Sequence, residues 1–169
     1  IEKETNKKVH IFISNAAVYK RSLNALDNSS SIFKTIETNL ISPILLTNLL
    51  SKNMIQNKFG MIILFSSVAS ILYDTGTSAY ASSKSGLETF GKILKKELAI
   101  FNIKVFVFRL IYLQTSLSKK LSTRQIKDLK NKFKTDNFSS IEKIYNQINR
   151  IHKVKKKIIE KIFFDKQNG

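Results

Sequence analysis

Tyr80 and Lys84 stand four residues apart in a stretch of helical patterning, so their side chains leave one helix face about a turn apart. A phenol ionises near pH 10 and is a poor proton donor or acceptor at neutral pH. An ammonium held beside it stabilises the phenolate, which makes the pair a candidate acid/base unit. Such pairs are common on helix surfaces, so the surroundings must decide. Ser67 lies thirteen residues before Tyr80, just after the apolar run Met61–Phe65, where a hydroxyl can hold a carbonyl oxygen. It can equally serve a turn or a helix cap, the role expected of its neighbour Ser66. Asn39 is the third piece. Four residues after it comes Pro43, the only proline, with no N–H to give to the Asn39 carbonyl. That oxygen is then free for a water and, if the helix faces Lys84, for a proton path; otherwise the proline only kinks the helix.

These side chains need a scaffold, and the hydrophobic pattern supplies one. Val9–Ile13 reads as a short buried strand ending at Ser14-Asn15-Ala16-Ala17, followed by a polar, irregular stretch over 18–30. Ile32, Phe33, Ile36, Leu40, Ile44 and Leu49 recur at helical spacing and predict a helix over 31–57. Gly60 opens Met61–Phe65, continuous as in a strand buried on both faces. Asp74, Thr75 and Gly76 fall in a loop, and Leu87, Phe90, Leu94, Leu98 and Phe101 stripe a helix over 78–101. Ile103–Phe108 follows as a strand, then helices over 118–133 and 141–151, and a last strand, Ile158–Phe164. Strands alternating with long helices predict an α/β fold with a parallel sheet, in one domain over 1–169. Ligands bind such sheets at the carboxyl ends of the strands, where Ser67 would stand.

Composition narrows the partners. The formal net charge is +17, and residues 111–169 carry 15 Lys+Arg against 5 Asp+Glu. Only four of the 29 basic residues are Arg, whereas phosphate and base-edge recognition favours the guanidinium fork; compositional drift explains the charge better than a nucleic-acid partner. With no cysteine and only His10 and His152, no metal site is expected. The longest apolar stretch, Leu40–Leu50, is broken by Ser42, Pro43, Thr47 and Asn48, short of the ~20 residues that a bilayer needs. No membrane span and a cytoplasmic location are the expectation.

Asn15-Ala16-Ala17 after a strand, Glu37-Thr38-Asn39-Leu40 in a helix, Ile62 through Ser67, and Tyr80-Ala81-Ser82-Ser83-Lys84-Ser85-Gly86-Leu87 resemble, in order and spacing, the successive signatures of the short-chain dehydrogenase/reductase family. The resemblance covers residues 9 to about 117 and reaches Ile162-Phe163-Phe164 and Gly169 more faintly. It implies a Rossmann-like parallel sheet flanked by helices and an NAD(P)-dependent oxidoreductase reducing a carbonyl or oxidising an alcohol. Tyr80 would be the catalytic acid/base. Lys84 would lower its pKa and bind the nicotinamide ribose, Ser67 would orient the carbonyl, and Asn39 would hold a relay water. Asn15 and Ala16 would line the adenosine side of the cofactor cleft, and Thr115 would contact its nicotinamide end. Helices 31–57 and 78–101 resemble those through which the family forms homo-oligomers. A small-molecule carbonyl, or a 3-oxoacyl thioester on an acidic carrier, is the implied substrate.

The pattern also fails in places. The five glycines, Gly60, Gly76, Gly86, Gly91 and Gly169, supply no phosphate-binding loop, and the family's first strands with their helices are not in the chain. Ala17 replaces a glycine, and Leu110-Ile111 stands where the family has Pro-Gly. A fragment of an oxidoreductase is therefore the first expectation, with Val9–Ile13 as an exposed apolar edge. The alternative is a truncated, non-catalytic remnant or a basic binding module.

Overall fold

A computed structural model describes residues 8–110. Its sheet is parallel and three-stranded, in the order β1 (Ile11–Ser14), β2 (Gly60–Ser67), β3 (Ile103–Leu110). Met61, Ile62, Ile63 and Leu64 of β2 are fully buried, as their uninterrupted apolar run requires of a central strand covered on both faces. β1 pairs in parallel with β2, Ile11 opposite Met61 and Ser14 opposite Leu64. It starts two residues later than the apolar run predicts and is half-buried along its length. The helices predicted over 118–133 and 141–151, the strand Ile158–Phe164, Thr115 and His152 lie outside the described residues.

The long helix after β1 runs in three pieces: α1 (Ser29–Ile36), a π turn (Glu37–Ile41) and α2 (Ser42–Asn57). Asn28 caps it, its Oδ1 accepting the Ser31 N–H at 2.7 Å. Pro43 lies in the first turn of α2 and cannot feed the carbonyl four residues back. The ladder slips just before it, so that the Ser42 N–H reaches the Glu37 carbonyl five residues away. What the sequence allowed as a kink is this slip.

The predicted helix is present, and its apolar stripe divides. Ile32, Ile36, Leu40 and Ile44 are half-buried, Leu40 packing on the core, whereas Phe33 and Leu49 are 63% and 61% exposed. The fully covered side chains are Thr35, Asn39, Pro43, Thr47, Ser51 and Met54, mostly small or polar.

After β2 comes the one-turn helix α3 (Ala69–Leu72), then α4 (Ser78–Ala99). Leu87, Leu94 and Leu98 of α4 form the core with Met54, Ile62, Leu64, Ile103 and Val105. Gly91 permits that contact: a Cβ there would stand 2.4 Å from Val107 Cγ2 and 2.9 Å from Leu64 Cδ1. Gly91→Ala is therefore expected to destabilise the fold by about 1–3 kcal/mol through overpacking, measured by urea denaturation. Among the described residues, no helix is long and apolar enough to cross a membrane.

Candidate functional site

Successive strand side chains point to opposite faces, so the two serines that end β2 have different fates. Ser66 is 2% exposed and donates its hydroxyl to the Lys84 carbonyl at 3.0 Å, tying β2 to α4. It is neither turn nor cap. Ser67 stands beside the Tyr80 phenol, where its hydroxyl favours the ionised form, and its Oγ accepts the Ala69 N–H at 3.2 Å, anchoring the start of α3.

Tyr80 and Lys84 leave α4 on one face, as their spacing predicts. Lys84 is buried, its Nζ donating to the Phe65 carbonyl at 2.9 Å and lying 5.9 Å from the centre of the Tyr80 ring. Burial pulls this amine down to about 8. The Tyr80 phenol moves upward from its ordinary value: burial raises it most, the Ser67 hydrogen bond opposes that, and Tyr19 adds to the rise. Burial thus governs the phenol here, rather than the ammonium to which the spacing pointed.

Asn39 contributes through its side chain. It is fully buried and grips the Val18 peptide at both ends, Oδ1 accepting the N–H at 2.8 Å and Nδ2 donating to the carbonyl at 2.9 Å. Nδ2 also donates to Ser83 Oγ at 3.2 Å, and that hydroxyl donates to the Tyr80 carbonyl at 2.7 Å. The grip on Val18 fixes Tyr19, whose ring meets Tyr80 edge-on with centroids 4.9 Å apart. Asn15 and Ala16 follow β1 at the same carboxyl edge of the sheet, next to the level of Phe65 by register. Among the described residues, no three His, Asp or Glu side chains gather into a metal site.

Sequence reasoning missed Glu88, one turn beyond Lys84. This buried carboxylate meets Arg109 through both nitrogens of the fork that face it, Nε at 3.0 Å and Nη2. Lys92 adds a contact at 2.7 Å, and the hydroxyls of Ser70 and Ser66 lie at 3.3 and 3.5 Å. The available signal was a pair of opposite charges, each inside an otherwise apolar helix stripe or strand.

The profile of the short chain dehydrogenase family matches residues 1–126. The chain belongs to this family. It is 29% identical over 127 residues to the 3-oxoacyl-[acyl-carrier-protein] reductase of Bos taurus, covering 75% of this chain and 53% of that protein. The reductase of the same name from Buchnera aphidicola is also 29% identical, over 83% of this chain and 57% of its own length. The fold is similar to that of a putative gluconate dehydrogenase from Agrobacterium tumefaciens, with a TM-score of 0.70 and 23% identity over 80% of this chain and 53% of that one. A gluconate 5-dehydrogenase from Burkholderia cenocepacia, solved with NADP and tartrate, gives 0.68 at 20% identity, over 73% and 49%. The chain spans about half the length of these relatives.

Proposed function

We propose that this short-chain dehydrogenase chain is the acid/base half of an NAD(P)-dependent oxidoreductase that interconverts a carbonyl and an alcohol. The observation that carries this reading is the placement of Tyr80 and Lys84 on one face of α4, with the buried Lys84 amine on the Phe65 carbonyl at the end of the central strand and 5.9 Å from the centre of the Tyr80 ring. Ser67 would orient the carbonyl oxygen and Tyr80 would give it a proton. Lys84 would stabilise the phenolate left behind, and Asn39 would keep the loop at Val18 and Tyr19 in place.

A nicotinamide cofactor fits one end of this site. Lys84 keeps N–H groups beyond the one given to Phe65, and Asn15 and Ala16 line the same sheet edge. Bound there, the cofactor would supply or accept the hydride. The pyrophosphate end does not fit: among the described residues no glycine-rich turn opens a helix to receive its charge. Calorimetric titration of residues 1–169 with NADH or NADPH is therefore expected to show weak binding or none, and a micromolar dissociation constant would refute that expectation.

The substrate reading is a carbonyl, either a small molecule or a 3-oxoacyl thioester on an acidic carrier. The relatives' names and the net charge of +17 support the latter. The test is oxidation of NADH and NADPH, followed by absorbance, with ketones and 3-oxoacyl thioesters, using protein expressed from the whole reading frame. A flat trace with every pairing, from a folded protein, overturns the proposal. A second reading, a non-catalytic remnant or basic module, draws on the lack of a glycine-rich loop in the sequence; a salt-dependent gel shift with nucleic acid would favour it.

Self-association belongs to the same proposal. Phe33, Ile41, Leu45, Leu46 and Leu49 are exposed along α1, the π turn and α2, apolar side chains of the kind that a second copy covers. Leu45→Lys with Leu49→Lys is expected to shift the protein to monomer in analytical ultracentrifugation without lowering its melting temperature. An unchanged sedimentation coefficient rejects this face as the interface.

A further inference from the structure

A cleft of about 400 Å³ between the loop after β1 and the start of α1 lies outside the assigned roles. Val18, Tyr19 and the buried Thr35 form its inner wall, and the exposed Lys20 and Lys34 stand at its rim. Tyr19 belongs to two places at once. It lines the cleft, and its ring meets Tyr80 edge-on with centroids 4.9 Å apart. The grip of Asn39 on the Val18 peptide keeps that wall in place. A molecule resting on Tyr19 is therefore one ring away from Tyr80.

The charge of the cleft selects what can rest there. Two lysines line it and no Asp or Glu does. Lys20 donates to Asp27 Oδ1 at 2.5 Å, which fixes its ammonium and balances its charge. The Lys34 ammonium meets no carboxylate among the described residues. The first turn of α1 adds little, because Asn28 Oδ1 already takes the Ser31 N–H. An uncompensated positive charge above an aromatic and aliphatic wall suits an organic monoanion. A phosphate, which carries more charge and favours the guanidinium fork or a nest of N–H groups, is matched less well. We propose that this cleft is a carboxylate subsite, in which Lys34, with Lys20 beside it, holds the free carboxylate of an oxo acid whose carbonyl lies toward Tyr80. This rests on the proposed reading of Tyr80 as the proton donor. It narrows the carbonyl substrate to small oxo acids, since a thioester has given up the charge that Lys34 would hold.

The test is ¹⁹F NMR of the full chain labelled with 3-fluorotyrosine, the Tyr19 and Tyr80 resonances being assigned by their loss in Tyr19→Phe and Tyr80→Phe. Acetoacetate and its neutral methyl ester are titrated at matched ionic strength, because a chain of net charge +17 attracts any anion loosely. Acetoacetate is expected to move both resonances to saturation with a shared dissociation constant, and the ester to bind about fivefold more weakly. Lys34→Met should leave the fold intact, since Lys34 is exposed. It is expected to weaken acetoacetate by about fivefold, the upper range for an exposed ion pair, and Lys34→Arg to retain the binding. The proposal is overturned if the ester binds as tightly as the acid, if Lys34→Met changes nothing, or if neither resonance moves. Inorganic phosphate binding more tightly than acetoacetate would make this a phosphate site and overturn the carboxylate. A shift of Tyr19 alone would place the anion apart from Tyr80 and end its role as a substrate subsite. Binding needs no hydride, so the two readings fail separately. A flat NADH and NADPH trace alongside these shifts strikes the proposed function and leaves the carboxylate in its cleft, whereas turnover without the shifts strikes the subsite.

Discussion

Tyr80→Phe is expected to lower carbonyl turnover by about 10²–10⁴-fold, the usual contribution of a positioned general acid. The change removes one oxygen and keeps the ring that packs edge-on against Tyr19. Among the described residues the polar neighbour that the phenol gives up is Ser67, so stability should move by no more than ~1 kcal/mol. A fall in kcat at nearly constant melting temperature separates the loss of a proton donor from damage to the fold. A variant that keeps its rate within a few-fold would end the acid/base assignment.

The pH dependence follows from the same groups. Burial keeps the Tyr80 phenol protonated well above neutrality, which suits a proton donor in carbonyl reduction. In the proposed role, Lys84 would stabilise the developing phenolate only while it carries its proton, and burial brings that amine down to about 8. The reduction rate should therefore hold through neutral pH and fall as pH rises through about 8. Alcohol oxidation, which needs the phenolate, should gain from rising pH until Lys84 discharges.

Much of this site was legible in the residues, because its signals are local. The four-residue spacing of Tyr80 and Lys84 fixes a shared helix face, and the apolar run before Ser66 and Ser67 fixes a central strand with its carboxyl end at the serines. Pro43 announced a disturbed ladder at Asn39. What the sequence could not supply were relations between elements. The helix after β1 has apolar residues at regular spacing, but which of them are covered depends on neighbours far away in the chain: Leu40 packs on the core while Phe33 and Leu49 stay exposed. The partners of Asn39 lie at Val18, 21 residues earlier, and at Ser83, 44 residues later. Glu88 and Arg109 each interrupt an apolar pattern, yet only the packing of α4 on β3 shows that the interruptions answer one another.

That pair leads to an effect on stability that depends on pH. Burial alone would raise the Glu88 carboxyl, but the hydrogen bonds and charges of Arg109 and Lys92 outweigh it and hold the group at about 2, against an ordinary 4.5. A carboxylate whose folded value is depressed contributes stability that is fully present above its unfolded value and is lost as pH falls through the folded one. The window here runs from about 4.5 down to about 2. At pH 7, Glu88→Ala leaves the Arg109 guanidinium without its carboxylate and should cost about 1–3 kcal/mol in urea denaturation. The lower part of the range for broken buried pairs applies because the side chains of Arg109 and Lys92 are 38% and 67% exposed, so water screens the attraction and receives the released charge. The difference between Glu88→Ala and the unaltered chain should narrow at pH 3 and nearly vanish near pH 2. Replacing both partners, Glu88→Leu with Arg109→Met, should recover most of the loss at pH 7, because no buried charge is then left without its counterpart. A double variant as unstable as Glu88→Ala would mean that the serine contacts, not the ion pair, carry the energy.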